Sequence, residues 1–279
     1  EYLTQGPLVK KFEEKISNYC NSKYAIAVNS ATSGLHIACM TLGVKKNDIV
    51  WTSAISFVAS ANAAVYCSAD IDFLDISLED YNIDIKSLEK KLIVAKRKNK
   101  LPKVIIVVHF AGNPCQMKEI YLLKKRYKFK IIEDASHALG ARYINKRVGN
   151  CEFSDMCVFS FHPVKSITTA EGGIVTTNNK KFFNDLKLYR EHGINRNFIN
   201  KKVRPKYYEQ IKLGYNYRMN EIEAAIGIEQ LKKLDSFISK RVEIYNSYKS
   251  TASCVYICPY ICVGYKAVYH VLYKTHAHT

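Results

Sequence analysis

Short apolar runs alternating with helix-length amphipathic segments constrain this 279-residue chain more than any other feature. Strand-like runs are predicted at Lys23–Val28, Ile49–Thr52, Ile71–Asp75, Val104–His109, Lys128–Ile132, Met156–Phe161 and Gly173–Thr177. Between most of them fall helical stretches, at Ser33–Leu42, Val58–Cys67, Ile85–Arg97 and Cys115–Tyr127, and Leu8–Cys20 precedes the first with Pro7 near its opening turn. Asn220–Leu234 reads as a long amphipathic helix and Phe237–Tyr248 as the start of another. Such alternation is the signature of an α/β layered domain.

The densest chemical signal is Ser160-Phe161-His162-Pro163-Val164-Lys165-Ser166-Ile167-Thr168-Thr169-Ala170-Glu171-Gly172-Gly173. A lysine stands five residues after a serine, just past an apolar strand, and a glycine-rich turn follows. That suits an amine forming a Schiff base beside a bound phosphate, with glycines that let backbone approach a flat cofactor. Taken alone, the same segment also fits a surface loop with a solvated lysine. Two further segments decide between these readings. Ile131-Ile132-Glu133-Asp134-Ala135-Ser136-His137 places an acid at the end of a buried-type strand. Val28-Asn29-Ser30-Ala31-Thr32-Ser33-Gly34 runs from a strand into a helix, whose free first-turn N–H groups make an anion site. A phosphate cradle, an acid for a ring nitrogen and a lysine for an aldehyde are the parts that pyridoxal 5'-phosphate requires.

With these motifs the chain resembles the sugar aminotransferases of the DegT/DnrJ/EryC1/StrS family. The resemblance runs from about Leu3 to Tyr248 and includes Leu3-Thr4-Gln5-Gly6-Pro7, Ile55-Ser56-Phe57-Val58-Ala59, Phe110-Ala111-Gly112-Asn113 and Gly214-Tyr215-Asn216-Tyr217-Arg218. It implies a type I PLP-dependent aminotransferase large domain, a three-layer αβα arrangement with a seven-stranded, mostly parallel sheet. Residues 1–235 would form that PLP-binding domain, and residues 236–250 would begin a small C-terminal domain that is otherwise largely missing. The wording around Asp134 and Lys165 is similar to a branch acting toward pseudaminic acid. Its reaction would move an amino group from L-glutamate to C4 of a UDP-linked 4-keto-6-deoxy-N-acetylhexosamine. The alternatives are the same chemistry on another keto-sugar nucleotide, or a truncated, inactive PLP-binding remnant. A dehydratase branch carries histidine in place of the lysine, and Lys165 argues against it.

The resemblance also assigns roles. Lys165 would hold the cofactor covalently and then move the proton between substrate and cofactor carbon, which near neutral pH requires a lowered lysine pKa. Asp134 would keep the pyridine nitrogen protonated, His137 would hydrogen-bond the phenolic oxygen, and Phe57 would stack on the ring; the plainer reading of Phe57 is core packing. Ala31, Thr32 and Ser160 would hold the phosphate. Asn216 would reach the phosphate from a second subunit, so a complete site implies a homodimer. Thr4, Gln5, His162, Glu171 and His192 are candidates for contacts with sugar or amino donor.

The formal charge of +17 raises nucleic acid as a partner, but the lysines are scattered and form no arginine-rich stripe, so none is expected. A basic surface suits a doubly charged nucleotide-sugar. No apolar run reaches the length of a membrane span. Nine cysteines without a leader point to reduced thiols and a cytoplasmic location. The chain opens on Glu1 rather than methionine, so a segment is expected to be missing ahead of it. Residues 251–279 hold no acid, three cysteines and five tyrosines. Of these 29 residues, 23 are of types whose codons can alternate purine and pyrimidine, so an out-of-frame or disordered tail is expected. A metal site from Cys254, Cys258, Cys262, His270, His276 and His278 matches no common zinc spacing, and no metal is expected.

Overall fold

The computed structural model describes Leu3, Thr4, residues 6–195 and residues 208–251. In chain order the first elements are α1 (Pro7–Cys20), β1 (Tyr24–Val28), α2 (Ala31–Thr41), β2 (Ile49–Ser53), α3 (Val58–Val65) and β3 (Asp70–Leu74). Next come α4 (Ile85–Arg97), β4 (Val104–Val108), α5 (Met117–Tyr127) and β5 (Lys130–Asp134), then a short ribbon of β6 (Arg142–Tyr143) and β7 (Lys146–Arg147). The remainder comprises β8 (Met156–Ser160), β9 (Gly173–Thr177), α6 (Lys180–Arg190), β10 (Ile194–Asn195), β11 (Glu209–Gln210), α7 (Glu221–Leu231) and α8 (Leu234–Thr251).

The seven runs expected as strands form one sheet in the order β1-β9-β8-β5-β4-β2-β3. Only β9 runs against the others, pairing antiparallel with β1 and β8, while β8, β5, β4, β2 and β3 pair in parallel. Central strands such as Val104–Val108 and Met156–Ser160 are apolar almost throughout because both of their faces are covered. Alternate residues divide between two layers. Ile26, Val158 and Ile132 pack with Leu35, Ala63 and Leu186 of α2, α3 and α6. On the opposite face Phe159 and Ala27 meet α1 and α7, and Ile105 and Ile131 meet α4 and α5. The result is the three-layer αβα domain with a mostly parallel seven-stranded sheet.

The structure moves several expected boundaries. The fifth strand spans Lys130–Asp134 rather than Lys128–Ile132, because Lys128 takes a left-handed backbone (φ 66°) and closes α5 with its N–H on the Lys124 carbonyl. Asp134 is thereby the last strand residue. Helix α2 begins at Ala31, two residues early, because the Ser30 hydroxyl caps it. Helix α6 is absent from the sequence reading. It is strongly polar and buries only Leu186 and Arg190, so its apolar stripe is too narrow to signal a helix. The long helix expected over Asn220–Leu234 is instead α7, opened by an Asn220/Glu223 capping box, followed by a break and α8 from Leu234. The expected domain boundary at 235/236 falls in the first turn of α8, and residues 252–279 lie outside those described.

Candidate active site

The carboxyl ends of the parallel strands form one edge, where open α/β sheets place their ligands. Register brings the segments of interest to it. Asp134 pairs with Val108 and Val158, Ser160 pairs with Gly173, and Gly173 pairs with Val28, two residues before the cap of α2.

At the start of α2 the Ser30 hydroxyl accepts the Ser33 N–H at 3.1 Å, and Ser33 Oγ donates to Asn29 Oδ1 at 2.7 Å. The N–H groups of Ala31 and Thr32 belong to the first turn, where no carbonyl of their own helix can take them. Both residues are half-buried. Gly173 makes this approach possible: a Cβ there would stand 2.5 Å from Ala31 N and from Ser30 C. The backbone of β9 therefore lies directly against the helix opening.

Asp134 is buried, with 5% of its surface exposed, and faces the layer of α2 and α3. Ser60 Oγ, on α3, donates to Oδ2 at 2.6 Å, while Ser136 donates its hydroxyl (2.6 Å) and N–H (3.2 Å) to Oδ1. The same helix opens at Phe57, whose carbonyl accepts the Ser60 N–H. Phe57 is 70% exposed, which removes the core-packing reading and leaves an aromatic ring at the surface one helical turn from the serine that holds Asp134. His137 is half-buried in the turn after β5 that Ala138 N–H closes on the Ala135 carbonyl. On the other face, His109 Nε2 stands 2.8 Å from Glu133 Oε2, and the His109 N–H bonds the Asp134 carbonyl at 3.1 Å. The end of β5 is thus gripped from both sides.

Lys165 sits half-buried in the loop joining β8 to β9, its N–H closing a turn on the His162 carbonyl at 2.9 Å. That loop is pinned at its base. The Phe161 carbonyl accepts the Thr169 N–H and the Thr168 hydroxyl, and the Phe161 N–H reaches the Gly172 carbonyl, all at 2.9 Å. Ser160 is buried at the end of β8. From α8, both terminal nitrogens of Arg241 reach the carbonyl of Ser166 at 3.3 Å.

The remaining candidates are scattered. His162 and Glu171 are exposed on the lysine loop. His192 is exposed with a left-handed backbone (φ 59°), and its N–H bonds the Tyr215 carbonyl. Asn216 is exposed and bridges Glu191, while the neighbouring Tyr217 carbonyl accepts the Asn29 N–H at 2.9 Å. The Gly214–Arg218 motif therefore runs beside the opening of α2 in the same chain. Thr4 is exposed near the start of α7, where the Leu3 carbonyl accepts the Glu221 N–H, and Gln5 lies outside the described residues. Sequence reasoning missed Ser60, Ser136 and Arg241. Ser136 adjoins Asp134 and could have been flagged as a local hydroxyl partner; the other two carry no local signal.

These residues fit a flat, phosphate-bearing aldehyde cofactor. Gly173 admits the helix opening whose N–H groups suit a phosphate. The carboxylate has two hydroxyl partners yet retains lone pairs for a pyridinium N–H, and a half-buried primary amine follows on the adjoining strand loop. Among the described residues, no group of His, Cys, Asp and Glu side chains is arranged to hold a metal ion, and no helix is long and apolar enough to cross a membrane.

Comparison with known proteins agrees with this geometry. The model of the DegT/DnrJ/EryC1/StrS aminotransferase family matches residues 1–258. The UDP-4-amino-4,6-dideoxy-N-acetyl-beta-L-altrosamine transaminase of Campylobacter jejuni is 46% identical over 249 residues, covering 89% of this chain and 62% of the relative. The GDP-perosamine synthase of Escherichia coli is 36% identical over 88% of this chain and 63% of its own length. Among solved structures, Helicobacter pylori PseC, an aminotransferase involved in the biosynthesis of pseudoaminic acid, superposes with a TM-score of 0.81 at 35% identity, over 91% of this chain and 66% of that one. A putative sugar aminotransferase from Streptococcus pneumoniae, in its PMP form, gives a TM-score of 0.80 at 27% identity, over 89% and 66%. The chain spans just under two thirds of the length of these proteins.

Proposed function

This chain belongs to the DegT/DnrJ/EryC1/StrS aminotransferase family, whose aminotransferases use pyridoxal phosphate, and on that premise we propose that it transfers an amino group from L-glutamate to C4 of a UDP-linked 4-keto-6-deoxy-N-acetylhexosamine. The observation that carries this reading is the convergence of Asp134, the Lys165 loop and the opening of α2 at one sheet edge.

The bound cofactor would supply an electron sink for the carbanion formed at the carbon bearing nitrogen. The chain's own residues do the rest. First-turn N–H groups of Ala31 and Thr32, with the Ser160 hydroxyl, would hold the phosphate. The Asp134 carboxylate would hold the proton on the ring nitrogen, the Phe57 ring would stack on the cofactor, and His137 would hydrogen-bond its phenolic oxygen. The Lys165 amine would hold the aldehyde group and would carry the proton between the substrate and the cofactor. The amino donor and acceptor use the same site in turn, in a ping-pong sequence. Asn216 is exposed, as a residue reaching the partner's phosphate in a homodimer must be. The likeness to the Campylobacter protein favours the UDP-sugar, and the likeness to the Helicobacter PseC aminotransferase supports a product destined for pseudaminic acid or a related surface-glycan sugar. The resemblance to the GDP-perosamine synthase supports a second reading, the same transfer to another keto-sugar nucleotide.

The test is isotopic. The chain is loaded with cofactor and given ¹⁵N-labelled glutamate with the UDP- or the GDP-linked keto-sugar. Label in the UDP-4-aminosugar supports the first reading and label only in the GDP product the second. Label in neither, with cofactor bound, overturns both.

A further inference from the structure

Asp134 is conspicuous for how it is held as much as for where it stands. Its carboxylate is buried, and the groups on it come from two separate pieces of chain. Ser136 is local, two residues along. Ser60 is remote, 74 positions away on α3, fully buried, and 2.6 Å from Oδ2. A hydroxyl has one proton to give. A carboxylate can only accept, so the Ser60 proton is directed onto Asp134, and Ser56 Oγ, 2.7 Å from Ser60 Oγ and 3.0 Å from the Phe57 carbonyl, has its own proton to place on either. The helix carrying this relay also carries Phe57 at its cap.

We infer that Ser60 is the positioning residue of Asp134, fixing the carboxylate's rotamer and keying it to the helix that presents the Phe57 ring. The inference rests on the proposed cofactor chemistry for its purpose but on the Ser56–Ser60–Asp134 hydrogen bonds for its substance. A short hydroxyl-to-carboxylate bond is among the stronger neutral-to-charged contacts, and inside a buried site it is not replaced by water. Ser60 leaves lone pairs on Oδ2 free, so it orients the group without blocking a pyridinium N–H.

The experiment compares wild type with Ser60→Ala and Ser60→Thr, and uses Asp134→Asn to identify the carboxylate band by infrared difference. In the cofactor-free protein, the Asp134 carboxylate stretch should move in Ser60→Ala and return in Ser60→Thr, which keeps the hydroxyl. With pyridoxal phosphate added, Ser60→Ala should bind about tenfold more weakly, equivalent to about 1.4 kcal/mol. The pH midpoint of its cofactor absorption should shift, and Ser60→Thr should restore both. An unmoved infrared band in Ser60→Ala, or equal defects in the alanine and threonine variants, overturns the assignment. Failure of the wild-type chain to bind the cofactor, with the infrared shift present, overturns the proposed function and leaves the positioning role standing.

Discussion

Arg241, on the last described helix, places both terminal nitrogens 3.3 Å from the carbonyl of Ser166, the residue immediately after Lys165. The loop that presents the amine is therefore fastened to α8 as well as to the sheet. A carbonyl accepting from a charged donor is worth about 1.5–3 kcal/mol in a buried setting, and Ser166 is buried. Arg241→Ala should lower the denaturant midpoint by the equivalent of about 1–2 kcal/mol and increase cleavage by trypsin after Lys165. Arg241→Lys should recover only part of this, since an ammonium lacks the planar fork. Unchanged midpoint and cleavage would show that the contact contributes nothing.

Gly173→Ala should be severe. The added methyl would meet Ala31 N and Ser30 C at 2.5 Å and Ser30 O at 2.7 Å, all backbone atoms that cannot rotate aside. Either α2 withdraws or β9 shifts, at a cost of about 1–3 kcal/mol or more for overpacking. Thermal melts should fall by several degrees, and calorimetry should record weaker binding of inorganic phosphate than in wild type. Normal phosphate binding by a folded Gly173→Ala protein would separate the helix opening from the anion site.

His36 supplies a pH dependence. Its ring is buried among Tyr66, Tyr215 and Tyr217, with Nδ1 3.1 Å from the Tyr217 hydroxyl, and burial pulls its pKa below the usual histidine value. The unfolded chain takes up the proton near pH 6.5 while the folded chain resists it, so stability should fall as pH drops below that point. Urea midpoints at pH 7.5 and pH 5.5 measure the loss. His36→Gln should be less stable at neutral pH yet show a shallower decline. A wild-type midpoint that rises on acidification would contradict the assignment.

Much of the scaffold is legible in the sequence because sheet strands buried on both faces are continuous apolar runs, and all seven of the expected runs are strands. Lys165, Asp134 and the Asn29–Ser33 turn are legible for a different reason: each joins a strand end to a loop, the edge where open α/β sheets place their ligands. Boundaries fared less well at Lys128, where a left-handed residue ends α5, and along α6, whose narrow stripe hides among lysines. Ser60 is illegible because its partner lies 74 residues away, and nothing local distinguishes it from a serine packed in a helix. Phe57 needed the structure too, since an aromatic at a helix start can also pack in the core, and its 70% exposure removes that plainer reading.

Asp134→Asn should retain the fold, because the amide oxygen can still accept from Ser136 while the Ser60 hydroxyl can turn to accept from the amide nitrogen, but an amide cannot hold the proton on a ring nitrogen as a carboxylate does. The rate of the glutamate half-reaction, followed by stopped-flow absorbance, should fall by about 10²–10³-fold, the scale of a central electrostatic group. Near-normal rates would remove Asp134 from that role.

Everything above turns on Lys165 being the amine of a cofactor site at this sheet edge. Borohydride reduction of the chain with pyridoxal phosphate, then digestion and mass mapping, tests it most directly, because the chain's many other lysines act as internal controls. The reduced adduct should concentrate on the peptide holding Lys165 at substoichiometric cofactor and disappear from it in Lys165→Ala with no compensating site. Labelling spread evenly over surface lysines, or unchanged in total yield in Lys165→Ala, would contradict it.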